Sequence, residues 1–303
     1  MVTRYVQRNL TWVDCVSPTA DEVRALMREF TIDPLVAEEL LLPSYKPKVE
    51  RRGDLIYVIL HFPLLRGVHQ PPEQEIDFVI GKQFLITTRY ETIDPLHLFA
   101  KAFEVDAVLG RDAGTTNGGH LFIAMAANLY RALANSCDTL HQRLRDIEEH
   151  IFSGDEKRMV AELSRVGRTI HDFRQTLVPH DEMLASLEPV GARFFGQEFS
   201  YHLRNLIGAY GRVERTLGNL HDSLDELRET NNSLLSTKQN EIMKTFTVLA
   251  FLFLPLSFIA GLFGMNTQYI PIVGAPNDFW IVIGVMTVVA LTCFLYFKRK
   301  DWL

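Results

Sequence analysis

TFTVLAFLFLPLSFIAGLF, residues 245–263, holds no Asp, Glu, Lys, Arg or His, and FWIVIGVMTVVALTCFLYF, residues 279–297, holds none either. A run of about 20 apolar residues, at 1.5 Å per helical residue, is long enough to cross the hydrocarbon core of a bilayer. Two membrane spans are therefore expected. Lys238 and Lys244 precede the first, Lys298, Arg299 and Lys300 follow the second, and the segment that joins them carries only Asp278. This asymmetry of positive charge puts both termini in the cytoplasm and the joining loop outside, as in a multi-pass protein of the inner (cell) membrane.

The whole-chain composition, 47% hydrophobic and 22% charged over 303 residues, is too ordinary to say this; the distribution says it. MVTRYVQRNLTWVDC, residues 1–15, lacks the apolar core of a signal peptide, so the stretch before the first span is expected to stay in the cytoplasm. Cys15, Cys137 and Cys293 form no CxxC pair, which suggests neither a disulfide framework nor a thiolate metal site. A net charge of -6, with no basic run in the stretch before the first span, disfavours nucleic acid as a partner. No GxxxxGK[ST] phosphate loop and no nucleophile elbow occurs, so neither ATP hydrolysis nor enzyme catalysis is expected.

The pattern along the chain predicts an α+β cytoplasmic domain over 1–115, a long-helix pair over 116–197, and a stalk helix over 198–263 continuous with the first span, whose membrane part is about 245–263. An outward loop over 264–278, a second span over 279–297 and a basic tail over 298–303 complete it. LTWVDCV (10–16), DLIYVILHF (54–62), EIDFVIG (75–81) and QFLITTR (83–89) read as strands. Ser17-Pro18-Thr19, with Asp21 and Glu22 behind it, opens a helix over Ala20 to Phe30. The cluster GRDAGTTNGGH (110–120) ends the β-rich part. Helices over 119–152 and 155–187 follow, broken at Ser153-Gly154-Asp155.

In the stalk, Leu203, Leu206, Tyr210, Val213, Leu217, Leu220, Leu224 and Leu227 recur at alternating spacings of three and four, a heptad seam. Such a helix is expected to pack on the preceding helices and on copies of itself. The neighbouring stripe reads Glu226, Glu229, Ser233, Ser236, Asn240, Met243, Thr247, Ala250, Leu254, Ser257 and Gly261. Polar groups in hydrocarbon need partners or water, so Thr247, Ser257 and Gly261 on one stripe suit an axial channel. Small residues and hydroxyls serve plain helix packing equally, and spacing alone leaves both readings open. The second span, with Gly284, Thr287 and Thr292 among large apolar residues, reads as a lipid-facing helix, with Tyr296 and Trp302 as interfacial anchors.

Gly264-Met265-Asn266, set between the first span and a short outward loop, resembles the signature of the CorA family of divalent cation transporters. TWVDC, DPLVAEELLLPSYKPKVE (33–50), NEIMK (240–244), PLSFIAGLFGMN (255–266) and KRKDWL stand in the family's order and carry the resemblance over nearly the whole chain. The resemblance implies a funnel-shaped homopentameric membrane channel, with Gly264, Met265 and Asn266 as the selectivity mouth. It implies that Glu229, Asn240, Met243, Phe246, Leu254 and Ser257 line the pore, with Met243 and Phe246 or Leu254 as the apolar constriction. The implied activity is passive, potential-driven uptake of Mg2+, with Co2+ and Ni2+ as further cargo, no cofactor, and no partner beyond the bilayer, the ion and copies of the chain. A regulatory cation site is implied at Glu39, or its neighbour Glu38, together with Asn205; an amide in place of a carboxylate there weakens or relocates feedback. Asp222, Asp225 and Glu226 are further acids that could serve, or are simply solvated.

Gln268, Ile270 and Ile272 stand where many magnesium transporters of the family carry acids, which leaves the zinc-transporting branch open. A membrane-anchored coiled-coil scaffold or sensor is the rival from another class. His141, His150, His171 and His180, at nine- to twenty-one-residue separations, are expected to be solvated helix histidines, and Glu148 and Glu149 surface charges.

Overall fold

The structure, a computed structural model, describes residues 1–44, 46–63, 73–91, 93–108, 116–265, 272, 274, 277–300 and 302. It divides into two units, Met1–Arg228 and Glu229–Leu303. The first unit begins β1 (Val2–Gln7), β2 (Leu10–Val16), α1 (Ala20–Phe30), α2 (Pro34–Glu39), β3 (Lys48–Arg52), β4 (Leu55–Pro63), β5 (Glu73–Ile80) and β6 (Phe84–Arg89). It continues with α3 (Asp94–Val108), α4 (Gly118–Phe152), α5 (Glu156–Phe195) and the first part of α6 (Gln197–Phe263); α7 (Asp278–Arg299) follows in the second unit.

Six strands form one sheet in the order β1-β2-β6-β5-β4-β3. Only the β2–β6 pair is parallel; the others are antiparallel. The four strands expected from β-branched and aromatic runs are found to within two residues at each end. β1 and β3 were not expected, and both are edges: KVERR and VTRYVQ carry the charges that keep an edge strand from recruiting another chain. Central β4 is buried along its whole length. Its Leu55, Tyr57 and Ile59 join Val23 and Leu26 of α1 and Val36 and Leu40 of α2 in one core. Its opposite face meets the long helices, where Phe62 lies 5.8 Å from the Tyr130 ring of α4. Trp12 of β2 is wholly buried, donates to Thr87 Oγ1 at 3.0 Å, and meets Phe99 and Phe103 of α3 edge-on. Thr87 and Arg89 both bond the buried Asp14 carboxylate, so its charge is matched at once by a guanidinium and a hydroxyl.

The helix starts follow the sequence closely. Thr19 caps α1 in a reciprocal box with Glu22. Asn117 caps α4, its side chain accepting from the His120 N–H. At α4's first residue the backbone needs glycine, because a Cβ on Gly118 would land on the carbonyl oxygens of Gly81 and Phe84. One boundary differs: α5 does not stop near 187 but runs through Pro179 and Pro189 to Phe195. Leu184, Leu187, Gly191 and Phe194 keep its buried face continuous, and that burial outweighs the lost N–H at each proline.

β5 also holds an acid that the fold keeps neutral. Asp77 is fully buried, its Oδ2 accepts from the Tyr90 hydroxyl at 3.4 Å, and its Oδ1 finds no donor among the described residues. Burial first, and then the charge and hydrogen bonding of Glu75, hold the Asp77 carboxyl well above the usual range, so it keeps a proton that bonds toward Glu75. A raised carboxyl destabilises the fold as pH rises: its full contribution is present below the unfolded value near 4 and fades as pH climbs toward the folded one. Asp77→Asn, whose NH2 replaces the O–H donor and cannot ionise, is expected to raise the unfolding temperature at pH 7 to 8. The rise should be about 2–4 °C for each kcal/mol recovered and should vanish near pH 4. Thermal unfolding of both proteins at the two pH values checks it.

Candidate functional site

The seam on α6 is real and is used inside the chain. Leu203, Leu206, Tyr210, Val213, Leu217, Leu220, Leu224 and Leu227 are all buried. Tyr210 meets the rings of Tyr130 on α4 and His180 on α5 at 5.9 and 6.2 Å. Phe199 stacks on Phe195 at 5.2 Å and closes on Gly119 and Gly191 so tightly that neither has room for a Cβ. Through Leu227, α6 is thus the third member of a bundle with α4 and α5, and the heptad seam itself is not left over for a second copy.

The second unit presents the opposite situation. Glu229, Asn240, Met243, Phe246, Leu254, Ser257 and Gly261 are exposed and Thr247 is half-buried, so the stripe expected to line a pore is left uncovered by its own chain. α7 covers another flank of the helix: Val248 and Phe297 are buried, and the Phe251 and Phe297 rings lie 6.0 Å apart. Large apolar side chains are bare all along both helices, Phe246, Phe253, Leu254 and Phe258 on α6 and Trp280, Val288 and Leu295 on α7 among them. Both helices are long and apolar enough to cross a membrane, and a surface of this kind needs lipid or another protein surface to cover it.

The polar groups of these helices sort into two kinds. Thr245, Thr247, Thr287 and Thr292 each donate to the carbonyl four residues back, at 2.7 to 3.1 Å, and are satisfied without water. Thr247 therefore gives no reason of its own to face a channel. Asn240 and Ser257 are exposed polar side chains of the same stripe, and their polarity calls for water or a partner. Met243 and Leu254 are more than half exposed, at 59% and 66%, and lie on the same stripe, apolar groups able to narrow a passage.

At the C-terminal end of α6, the Gly264 N–H bonds the Ala260 carbonyl at 2.9 Å, and Gly264 and Met265 are exposed. Asn266 lies outside the described residues, as do Gln268 and Ile270. Asp278, the first residue of α7, is held by backbone donors: Oδ2 accepts from Gly274 at 3.1 Å and Oδ1 from Phe279 at 2.7 Å.

In the first unit, Glu39 ends α2 with its carboxylate 2.7 Å from Lys48 Nζ, and Glu38 is exposed. Asn205 is elsewhere, on α6, in a groove of about 520 Å³ against α4 that Tyr130, Arg131, Asp138 and His202 also line. The histidine expectation needs one correction. His141, His150 and His171 are exposed, but His180 is wholly buried. Its Nε2–H donates to the His61 carbonyl at 2.8 Å and its Nδ1 accepts from the Tyr130 hydroxyl at 2.7 Å. A carbonyl only accepts, which fixes the tautomer. Burial lowers the His180 pKa to about 4, so the ring is neutral and tertiary structure, not solvent, surrounds it.

Sequence and structure comparisons agree with this architecture. The family described as CorA-like Mg2+ transporter protein matches residues 7–299. "Cobalt/magnesium transport protein CorA" of Thermotoga maritima is 25% identical over 97% of this chain and 83% of its own length. "Zinc transport protein ZntB" of Pectobacterium carotovorum subsp. carotovorum is 21% identical over 96% of this chain and 88% of its own. The solved structure of the CorA magnesium transporter from Methanocaldococcus jannaschii superposes with a TM-score of 0.85 at 20% identity, covering 99% of this chain and 93% of that one. A sheet domain, a 67-residue helix ending in an apolar span and a second span, matched from end to end, place this chain in the family of CorA-like Mg2+ transporter proteins.

Proposed function

We propose that the chain is a divalent cation channel that mediates passive Mg2+ uptake as a homopentamer. One observation carries the reading: α6 buries its leucine seam within the chain and leaves the adjoining stripe of Asn240, Met243, Leu254 and Ser257 bare. Symmetric copies that turn these stripes toward one axis would cover the apolar positions and place Asn240 and Ser257 along a water-filled path. The second helices would then face lipid, where threonines bonded to their own backbone suffer no penalty. A membrane potential supplies roughly 2.3 kcal/mol per charge per 100 mV, about twice that for a divalent cation, so uptake needs no chemical fuel. In this reading the chain is no enzyme, Gly264, Met265 and Asn266 form the mouth, and Glu38 or Glu39 with Asn205 remains the proposed regulatory pair.

Zinc is the second reading, favoured by the zinc transport relative and by an outer loop whose one acid, Asp278, is engaged with backbone. Proteoliposomes under an imposed potential, with Mg2+ and Zn2+ flux compared and cobalt hexaammine added, separate the possibilities. Mg2+ flux blocked by cobalt hexaammine is expected, because both present the same octahedral shell of ligands to the mouth. Flux of Zn2+ alone, responding to a pH gradient, would establish the zinc reading, and absence of flux of either ion would leave a membrane-anchored scaffold.

A further inference from the structure

Apart from the proposed pore and from Glu39 and Asn205, one place among the described residues of the first unit gathers metal-ligating chemistry. His120, on the first turn of α4, meets Glu198 and His202, which sit one turn apart on α6; one donor atom from each lies within 4.8 Å of the other two. We propose that His120, Glu198 and His202 bind a divalent transition-metal ion of the Zn2+ class, at a site separate from the transport path.

The geometry favours it in three ways. The His120 and His202 rings are 5.0 Å apart, a wasteful arrangement for two cations but a natural one for two neutral imidazoles converging on a metal. Thr116 Oγ1 lies 2.8 Å from His120 Nδ1, and the tautomer in which Nδ1–H donates to that hydroxyl leaves the Nε2 lone pair for an ion. Glu198 Oε1 is already 3.9 Å from His202 Nε2, and the i, i+4 spacing keeps both on one face of α6. Bonds of 2.0–2.2 Å would draw the three donors to about 3.4 Å from one another, a closure of roughly 1 Å that the exposed Glu198 can supply by rotation.

The donor set decides the class of ion. Two imidazoles and a carboxylate suit Zn2+, Co2+ or Ni2+, with water completing the shell, whereas Mg2+ prefers oxygen ligands and keeps its water. Because α4 and α6 each supply a ligand, an ion here would join the starts of two long helices. The bland alternative is that Glu198 is there to complement the positive end of α6, with no ion involved.

The test uses the full chain in detergent, stripped of metal. Zn2+ titration with a competing indicator is expected to show one equivalent per chain that His202→Ala and Glu198→Gln each weaken by more than about tenfold. Co2+ should give visible absorption bands that the same variants lose, and millimolar Mg2+ should not displace it. Both variants alter side chains at the surface, so unchanged circular dichroism and oligomer size are expected. Zn2+ stoichiometry, affinity and Co2+ bands that are the same in wild type and both variants would overturn the proposal, as would equal competition by Mg2+. Zn2+ held at the pore would survive these substitutions, so the result is independent of the transport reading.

Discussion

Asn266→Ala is expected to abolish divalent cation flux into proteoliposomes while leaving the oligomer intact. The reason lies in how little else the outer loop offers. Between Gly264 and Asn277 there is no Asp, Glu, Lys, Arg or His, and the Asp278 carboxylate already accepts two backbone bonds. A hydrated Mg2+ presents water O–H groups outward, and the Asn266 amide oxygen is the natural acceptor for them. If a pentamer contributes five such amides, and each water-to-amide bond is worth about 1 kcal/mol, the ring supplies roughly 5 kcal/mol. Loss of even 4 kcal/mol of it at the entrance corresponds to about a thousandfold in rate. Asn266→Gln keeps the amide but displaces it by one methylene and should retain a measurable fraction of the flux. The measurement is a fluorescent Mg2+ indicator trapped in the vesicles, with oligomer size followed by chromatography. Normal flux in Asn266→Ala would remove the mouth from the mechanism, and a dissociated oligomer would reassign the residue to assembly.

How much of this was legible in the sequence depends on whether the signal was local. The spans, the heptad seam and the α1 cap were legible because each is a periodicity or a spacing within one element: eight seam positions at alternating threes and fours are all buried. β1 and β3 were not, because edge strands carry the charged residues that make a segment read as loop. α5 runs past the end expected near 187 because a buried face continuing to Phe194 keeps the helix going through Pro189. The His120, Glu198 and His202 cluster was invisible for a topological reason. Glu198 and His202 have the right i, i+4 spacing, but the third donor comes from the start of α4, and only the packing of α6 on α4 brings it near. Which of the stripe hydroxyls is satisfied was equally hidden, since Thr247 and Ser257 differ only in a rotamer that back-bonds one of them.

His180 shows the same limit and carries the largest expected effect on stability. The sequence suggests a solvated helix histidine, yet the ring is fully buried against Phe62 at 5.2 Å and Tyr130 at 5.8 Å. His180→Ala would remove that packing and leave the Tyr130 hydroxyl and the His61 carbonyl without partners in the interior. Cavity and unsatisfied groups together are expected to destabilise by about 3–5 kcal/mol. The acid response has a definite sign. Burial lowers the His180 pKa from 6.5 to about 4, so the unfolded chain binds a proton that the folded one refuses. Its stabilising contribution is complete above pH 6.5 and is lost as pH falls toward 4, about 3 kcal/mol in all, or roughly 6–12 °C in unfolding temperature for a unit of this size. His61 works in the other direction: burial would lower its pKa, but the Glu75 carboxylate and the Ser44 carbonyl outweigh that and raise it, so its contribution grows on acidification and offsets part of the loss. His180→Gln, which cannot take up the proton, should start less stable at pH 7.5 but lose less on going to pH 5 than wild type does. An equal fall in both proteins would show that some other buried group sets the acid limit of the fold.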